Sequence, residues 1–272
     1  MCQKLNGRSD KFIMKNKIVL LWVLSVSVLT LSSCSNDLED NVKLLKKVVE
    51  TSEEGTSETT LFTYNGNEIV SIEGAEKRTD FTYTDGLITN MQTLNKKNQL
   101  LETIEYSYLK GKLSLVQSLG NYRIKYIRNS DETVSYERFT IVSTNQQVKE
   151  FHGILYFENE NLIKDDRILD NANAGVISNY SVSYDYDVEK NPMINVTGFR
   201  ELLNQNEKIS LNNTVISTVI TTFSKDDQIS SSAIMYKSFY TYDLENYPKE
   251  RVSETAIFAN GNTGYLKTQY FY

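Results

Sequence analysis

The residue best placed to do chemistry is Cys34. It closes the run Leu31-Ser32-Ser33-Cys34, behind an uncharged stretch at 18–31 that follows Lys15 and Lys17. A basic start, an apolar core and small residues before a cleavage point are the three parts of an export signal. A thiol at that point is what lipoprotein processing needs: the sulfur takes a diacylglycerol, the chain is cut before the cysteine, and the new amine takes a third acyl chain. Each buried methylene contributes about 0.8 kcal/mol, so several chains hold a protein on a bilayer far better than one. The stretch 18–31 is short of the roughly 20 apolar residues of a membrane span. Residues 1–33 therefore read as a signal peptide, with Met14 as the expected initiator because residues 1–13 push the apolar core unusually far from the start. Cys34 is the expected lipid attachment, and a secretory signal with an incidental cysteine is the alternative. Replacing Cys34 by Ala is expected to leave an unprocessed or released protein. Metabolic labelling with a fatty-acid probe checks this, and a labelled Cys34→Ala protein would overturn it.

Other candidates are weaker. Asp165-Asp166 and Asp226-Asp227 flank turn-like segments, and either could join a glycosidase pair if folded about 5–9 Å from a partner carboxylate. The plainer reading is two solvated hairpin turns. Asp185, Asp187 and Glu189 alternate as calcium ligands do, but without the glycine and closing acid of a calcium loop. His152 is the single histidine, and the chain has two cysteines. With Cys34 acylated and Cys2 ahead of Met14, no thiol is left for a disulfide, a metal or a nucleophile. One histidine gives neither a Ser-His-Asp triad nor a multi-histidine zinc site. The expectation is a protein with no catalytic residue, no metal and no cofactor, and hence not an enzyme.

The whole chain carries a net charge of −6, and removing the basic signal makes the remainder more acidic. Such a surface repels nucleic acid, so no nucleic-acid partner is expected. The expected partners are a membrane, through the lipid anchor, and a glycan or envelope protein. Trp22 is the one tryptophan and leaves with the signal, so any sugar-stacking platform must be built from tyrosine or phenylalanine. Eighteen tyrosines, none before Cys34, supply ample material. They read either as core and cross-strand packing or as an exposed aromatic face.

The elements that would position these residues repeat one pattern: an alternating strand ending in aromatics, a polar turn, and a strand opening on Ile, Leu or Val. Examples are Phe81-Thr82-Tyr83-Thr84-Asp85-Gly86-Leu87-Ile88 and Ile104-Glu105-Tyr106-Ser107-Tyr108-Leu109-Lys110-Gly111-Lys112-Leu113. Asn-Gly, Asp-Gly and Lys-Gly supply the positive φ of tight hairpins. A period of two puts Tyr106, Tyr108, Tyr184, Tyr186, Tyr240 and Tyr242 on a covered face, with Glu105, Ser107, Ser183 and Asp185 opposite. The fold class is all-β, an antiparallel meander forming a large curved sheet or a barrel-like fold. Residues 34–41, including the acidic run Ser35-Asn36-Asp37-Leu38-Glu39-Asp40, form a lipidated tether, and 42–272 a single β domain. Residues 42–51 are read as a strand, although Leu44, Leu45, Val48 and Val49 would also share a helical face. Residues 198–213 are the least strand-like, with a helical turn or two expected over 201–205; such an excursion is where function often sits.

Two segments, Tyr184-Asp185-Tyr186-Asp187-Val188-Glu189-Lys190-Asn191-Pro192 and Tyr240-Thr241-Tyr242-Asp243-Leu244-Glu245-Asn246-Tyr247-Pro248, share an aromatic-Asp-turn-Pro arrangement. With the terminal strand Leu266-Lys267-Thr268-Gln269-Tyr270-Phe271-Tyr272, their order resembles an uncharacterised Bacteroidetes-type lipoprotein family with a domain of unknown function and a porin-like β fold. The resemblance covers most of the chain after Cys34. It implies a porin-like fold and an outer-membrane, surface-exposed location, and it carries no activity. The acidic tether is likewise similar to those that send Bacteroidetes-type lipoproteins to the outer leaflet. The aromatic terminus resembles an outer-membrane insertion signal, yet the strands carry too many charges for a lipid-facing band.

Overall fold

The computed structural model describes residues 42–143, 146–170, 176–226, 228–255 and 264–272. Contacts divide the chain into a unit ending at Val42 and a second unit, Lys43–Tyr272. The signal segment, Cys34 and the acidic tether lie outside the described residues.

Among the described residues, the second unit is one antiparallel sheet of 16 strands, each bonded to its sequence neighbours and closed where the first meets the last. The first eight are β1 (Lys47–Ser52), β2 (Ser57–Asn65), β3 (Glu68–Glu73), β4 (Lys77–Thr84), β5 (Leu87–Asn95), β6 (Leu100–Leu109), β7 (Lys112–Ser118) and β8 (Tyr122–Arg128). The rest are β9 (Val134–Ser143), β10 (Gln146–Glu158), β11 (Asn161–Leu169), β12 (Val176–Lys190), β13 (Asn212–Lys225), β14 (Gln228–Tyr242), β15 (Pro248–Thr255) and β16 (Gly264–Phe271). Closure pairs Lys47 with Phe271 and Val48 with Tyr270, which removes the exposed edges an open sheet would leave. Of the two forms the meander could take, curved sheet or barrel, the chain takes the barrel.

Hairpins at one end of the barrel follow the turn chemistry closely. Asp85-Gly86, Lys110-Gly111 and Asn159-Glu160 each place two successive residues at positive φ, the geometry that matches the twist of a two-residue hairpin. Four tyrosines near the strand ends here have a second duty. Tyr64 donates its hydroxyl to the carbonyl of Leu45 at 2.8 Å, Tyr108 to Ile88 at 2.6 Å and Tyr186 to Leu162 at 2.6 Å. Tyr83 donates to Thr197 at 3.1 Å and accepts from the Ile69 amide at 3.0 Å. Each of these four tyrosines thus ties its strand to a neighbouring segment through a hydroxyl that phenylalanine lacks, whereas the turn at Asn159-Glu160 is preceded by Phe157.

The stretch between β12 and β13 closes this end. Two 3-10 turns, Phe199–Glu201 and Leu203–Ile209, stand where one or two helical turns are expected. Their segment lies across the barrel floor with Met193, Val196, Phe199, Leu202, Leu203 and Ile209 buried. The Thr197 amide donates to Asn67 at 2.9 Å and that of Leu211 to Glu160 at 3.3 Å. A Cβ on Gly198 would come 2.8 Å from the Gly86 carbonyl, and φ there is +69; only glycine allows so close an approach. Over 42–51 the strand begins at Lys47, four residues after Lys43 leaves to pair with Asp243 at 2.5 Å.

Candidate functional site

The alternation decides what faces in and what faces out. Tyr106 and Tyr184 are buried, Tyr108, Tyr186, Tyr240 and Tyr242 half-buried, while Glu105, Ser107, Ser183 and Asp185 are exposed. The buried tyrosines belong to one core that also holds Ile69, Ile88, Val116, Leu155 and Val182. The covered face is therefore the barrel's lumen. Tyr270 and Tyr272 turn inward as well, packed against this core. Burial is the main cause that pushes the hydroxyls of Tyr106 and Tyr186 up to about 12, so both donate hydrogen bonds as neutral phenols.

The outer face mixes ion pairs with exposed apolar side chains such as Val70, Ile168, Ile220 and Met235. Arg78 pairs with Asp80 at 2.6 Å, Lys149 with Glu137 at 2.8 Å, Lys164 with Asp166 at 2.7 Å and Lys267 with Glu250 at 2.7 Å. Exposed Leu61, Ile127 and Phe239 share that face with lysines: Lys47 across the strand pair, and Lys125 and Lys237 two residues earlier.

Not all of the lumen is filled. A cavity of about 630 Å³ is bounded on one side by Val48, Phe62, Ile72, Phe81 and Met91 and from the floor by Met193 and Phe199. On its other side β12–β16 present Tyr184, Tyr240, Tyr270, Ser217, Ser238 and Arg251. A smaller cavity of about 210 Å³ lies among Tyr122, Tyr126, Tyr136, Arg138 and Asp165. Asp165 is 1% exposed. It accepts the Tyr136 hydroxyl at 2.5 Å and the Arg167 Nε at 2.9 Å, with a second bond from the same guanidinium. Burial, then the adjacent Asp165 carboxylate, raise the Tyr136 hydroxyl far above its ordinary value.

The candidates for chemistry are not brought together. The expectation that Asp165-Asp166 marks a solvated turn is corrected: both lie within β11, Asp165 inside and Asp166 outside with Lys164 and Ser181. Successive residues of a strand point to opposite faces, so the two carboxylates cannot flank one bond. Asp226 is an exposed turn residue at φ 49, and Asp227 lies outside the described residues. His152 lies within β10 on the outer face, its Nδ1 2.9 Å from Asp170. Asp185 is exposed, while Asp187 accepts the amides of Glu189 at 3.0 Å and Asn213 at 3.1 Å as well as the Tyr242 hydroxyl. Among the described residues no group of three or more His, Cys, Asp or Glu side chains could hold a metal ion. Sequence reading missed the interior arginines Arg138, Arg167 and Arg251. Their signal is the same alternation: each sits two residues from an inward-facing position.

No family model matches the sequence, and comparison with curated proteins finds no match. Solved structures do match. The crystal structure of a porin-like protein from Bacteroides vulgatus ATCC 8482 aligns over 84% of this chain and 99% of that one, at 16% identity and a TM-score of 0.52. A porin-like protein from Bacteroides uniformis ATCC 8492 aligns over 84% and 96%, at 12% identity and a TM-score of 0.48. The first likeness fixes the class: this chain is a closed, porin-like antiparallel β-barrel.

Proposed function

We propose that this chain is a lipid-anchored cell-envelope protein whose barrel holds a ligand in its lumen without catalysis, standing off the outer membrane rather than crossing it. The observation that carries this reading is the direction of its polarity. A membrane-spanning barrel turns an apolar band outward and a polar face inward, and one Lys or Arg on the lipid face near the midplane costs roughly 2–4 kcal/mol. Here ion pairs line the outside and aromatic and aliphatic side chains line the inside. The floor built from Met193, Phe199 and Leu202 argues in the same direction, since it makes the lumen a cup. A cavity of about 630 Å³ is within the range of small-molecule sites, roughly 300–1,000 Å³. The export signal, Cys34 and the acidic tether support the anchor and the surface location. The alternative, a structural component embedded in the outer membrane, has the porin-like topology in its favour but needs the opposite outer surface.

Fragment 35–272, purified without detergent, is expected to be monodisperse and rich in β structure. Light scattering and far-ultraviolet circular dichroism check this. A fragment that aggregates in buffer and folds only into micelles or vesicles would establish the spanning barrel instead.

A further inference from the structure

We infer that the main cavity takes an amphipathic ligand with a single anionic head, and that Arg251 binds that head. The inference rests on the luminal reading above and adds the chemical class of the ligand.

Three arginines line the two cavities. Two are neutralised within the barrel: Arg167 by Asp165, and Arg138 by Glu150 at 2.6 Å, where Glu150 also accepts from Thr140. Arg251 differs. One hydrogen bond runs from its Nη2 to Thr268 at 3.2 Å. Its nearest carboxylate, Glu50, is 3.9 Å away, beyond hydrogen-bond reach. The Arg251 Nε is buried and has no hydrogen-bond partner among the described residues, and the same holds for the Thr214 hydroxyl on the same cavity. The Arg251 side chain is still 28% accessible and, among the described residues, has no carboxylate within hydrogen-bond reach. An anion in the cavity would supply the missing counter-charge, and a guanidinium presents a planar fork suited to a carboxylate or phosphate.

The wall around Arg251 fits such a head. Strand pairing sets Tyr240, Arg251, Thr268 and Glu50 in one row across β14, β15, β16 and β1, all facing the cavity. Lys208 and Glu207 line the same cavity from the floor. Phe62, Ile72, Phe81, Met91 and Met193 make the opposite side aliphatic or aromatic, while Ser217, Ser238 and Asn213 place donors on the Arg251 side. That apolar side suits the hydrocarbon body of an amphiphile better than a glycan, whose hydroxyls would be left unpaired against it.

The test uses fragment 35–272, which contains the whole barrel unit, and displacement of an environment-sensitive luminal fluorophore. Dodecanoate, dodecyl phosphate and dodecanol are compared as competitors. Dodecanoate is expected to compete at least ten-fold better than dodecanol. Dodecyl phosphate competing as well as dodecanoate would identify any single anionic head as sufficient, and a clear preference for dodecanoate would identify the carboxylate. Arg251→Met should abolish the preference for acid over alcohol, and Glu50→Gln, which removes the nearby competing carboxylate, should enlarge it. If Arg251→Met does not fold, Arg251→Lys serves, with an expected loss of part of the preference. Equal competition by dodecanoate and dodecanol in the parent, or an unchanged preference in the Arg251 variant, overturns the role of Arg251 while leaving the luminal reading standing. If the fluorophore enters and no amphiphile displaces it, the ligand class is wrong; if no fluorophore enters at all, the luminal reading itself falls.

Discussion

Arg167→Met is expected to destabilise the barrel by about 3–5 kcal/mol, the cost of removing one partner from a buried ion pair. The side chain it abandons, Asp165, is 1% exposed and holds only the Tyr136 hydroxyl besides the guanidinium. Charge is only part of the loss, because the guanidinium also lies 5.3 Å from the ring centroids of Phe151 and Tyr180. Tyr136 has little freedom to compensate. Its ring lies against Gly153, where an added Cβ would come 2.7 Å from the ring and 2.5 Å from the Asp166 carbonyl. The double variant Arg167→Met with Asp165→Asn should recover part of the stability, since the uncompensated charge is then gone. Urea denaturation of fragment 35–272 checks both. A single variant within 1 kcal/mol of the parent would mean that water reaches Asp165, and that the smaller cavity is solvated rather than closed.

Tyr184→Ala and Tyr106→Ala are each expected to cost about 3–5 kcal/mol, as large aromatic truncations in cores do. For a domain of this size that lowers the melting temperature on the order of 10 °C. Tyr106 is 4% exposed and Tyr184 9%. Tyr106 also accepts a hydrogen bond from Asn204 at 3.3 Å, and Tyr184 packs 6.5 Å centroid to centroid from Tyr186. Truncation therefore loosens both the wall and its contact with the floor. Ser107→Ala and Ser183→Ala, one residue along on the outer face, should melt within a degree or two of the parent. If the tyrosine variants melted like the parent, the aromatic face would be open to solvent and would itself become the binding surface.

The strands were legible because a period of two is written in the side chains. Tyr106-Ser107-Tyr108 and Tyr184-Asp185-Tyr186 leave one face apolar and one polar, and a one-residue slip would reverse both. The hairpins were legible at Asp85-Gly86 and Lys110-Gly111, since positive φ restricts which residues can stand there. Asp165 was misread for a related reason. A carboxylate beside another in a polar run looks solvated, and the residues that bury it come from β9 and from its own strand two positions on. Nothing local to Asp165-Asp166 announces Tyr136.

Taken alone, the sequence determined the antiparallel meander, the identity of its covered face and the poverty of catalytic side chains, because each depends on residue types and short-range alternation. The tertiary structure decided that the sheet closes on itself, that residues between β12 and β13 floor it, and that the covered face encloses a cavity. It also decided which interior arginine is left without a close carboxylate. Those outcomes depend on pairings such as Val48 with Tyr270 and Asn67 with Thr197, between residues far apart in the chain. Alternation fixes only the face on which a side chain stands, whereas its partner is fixed by the path of the whole chain around the barrel.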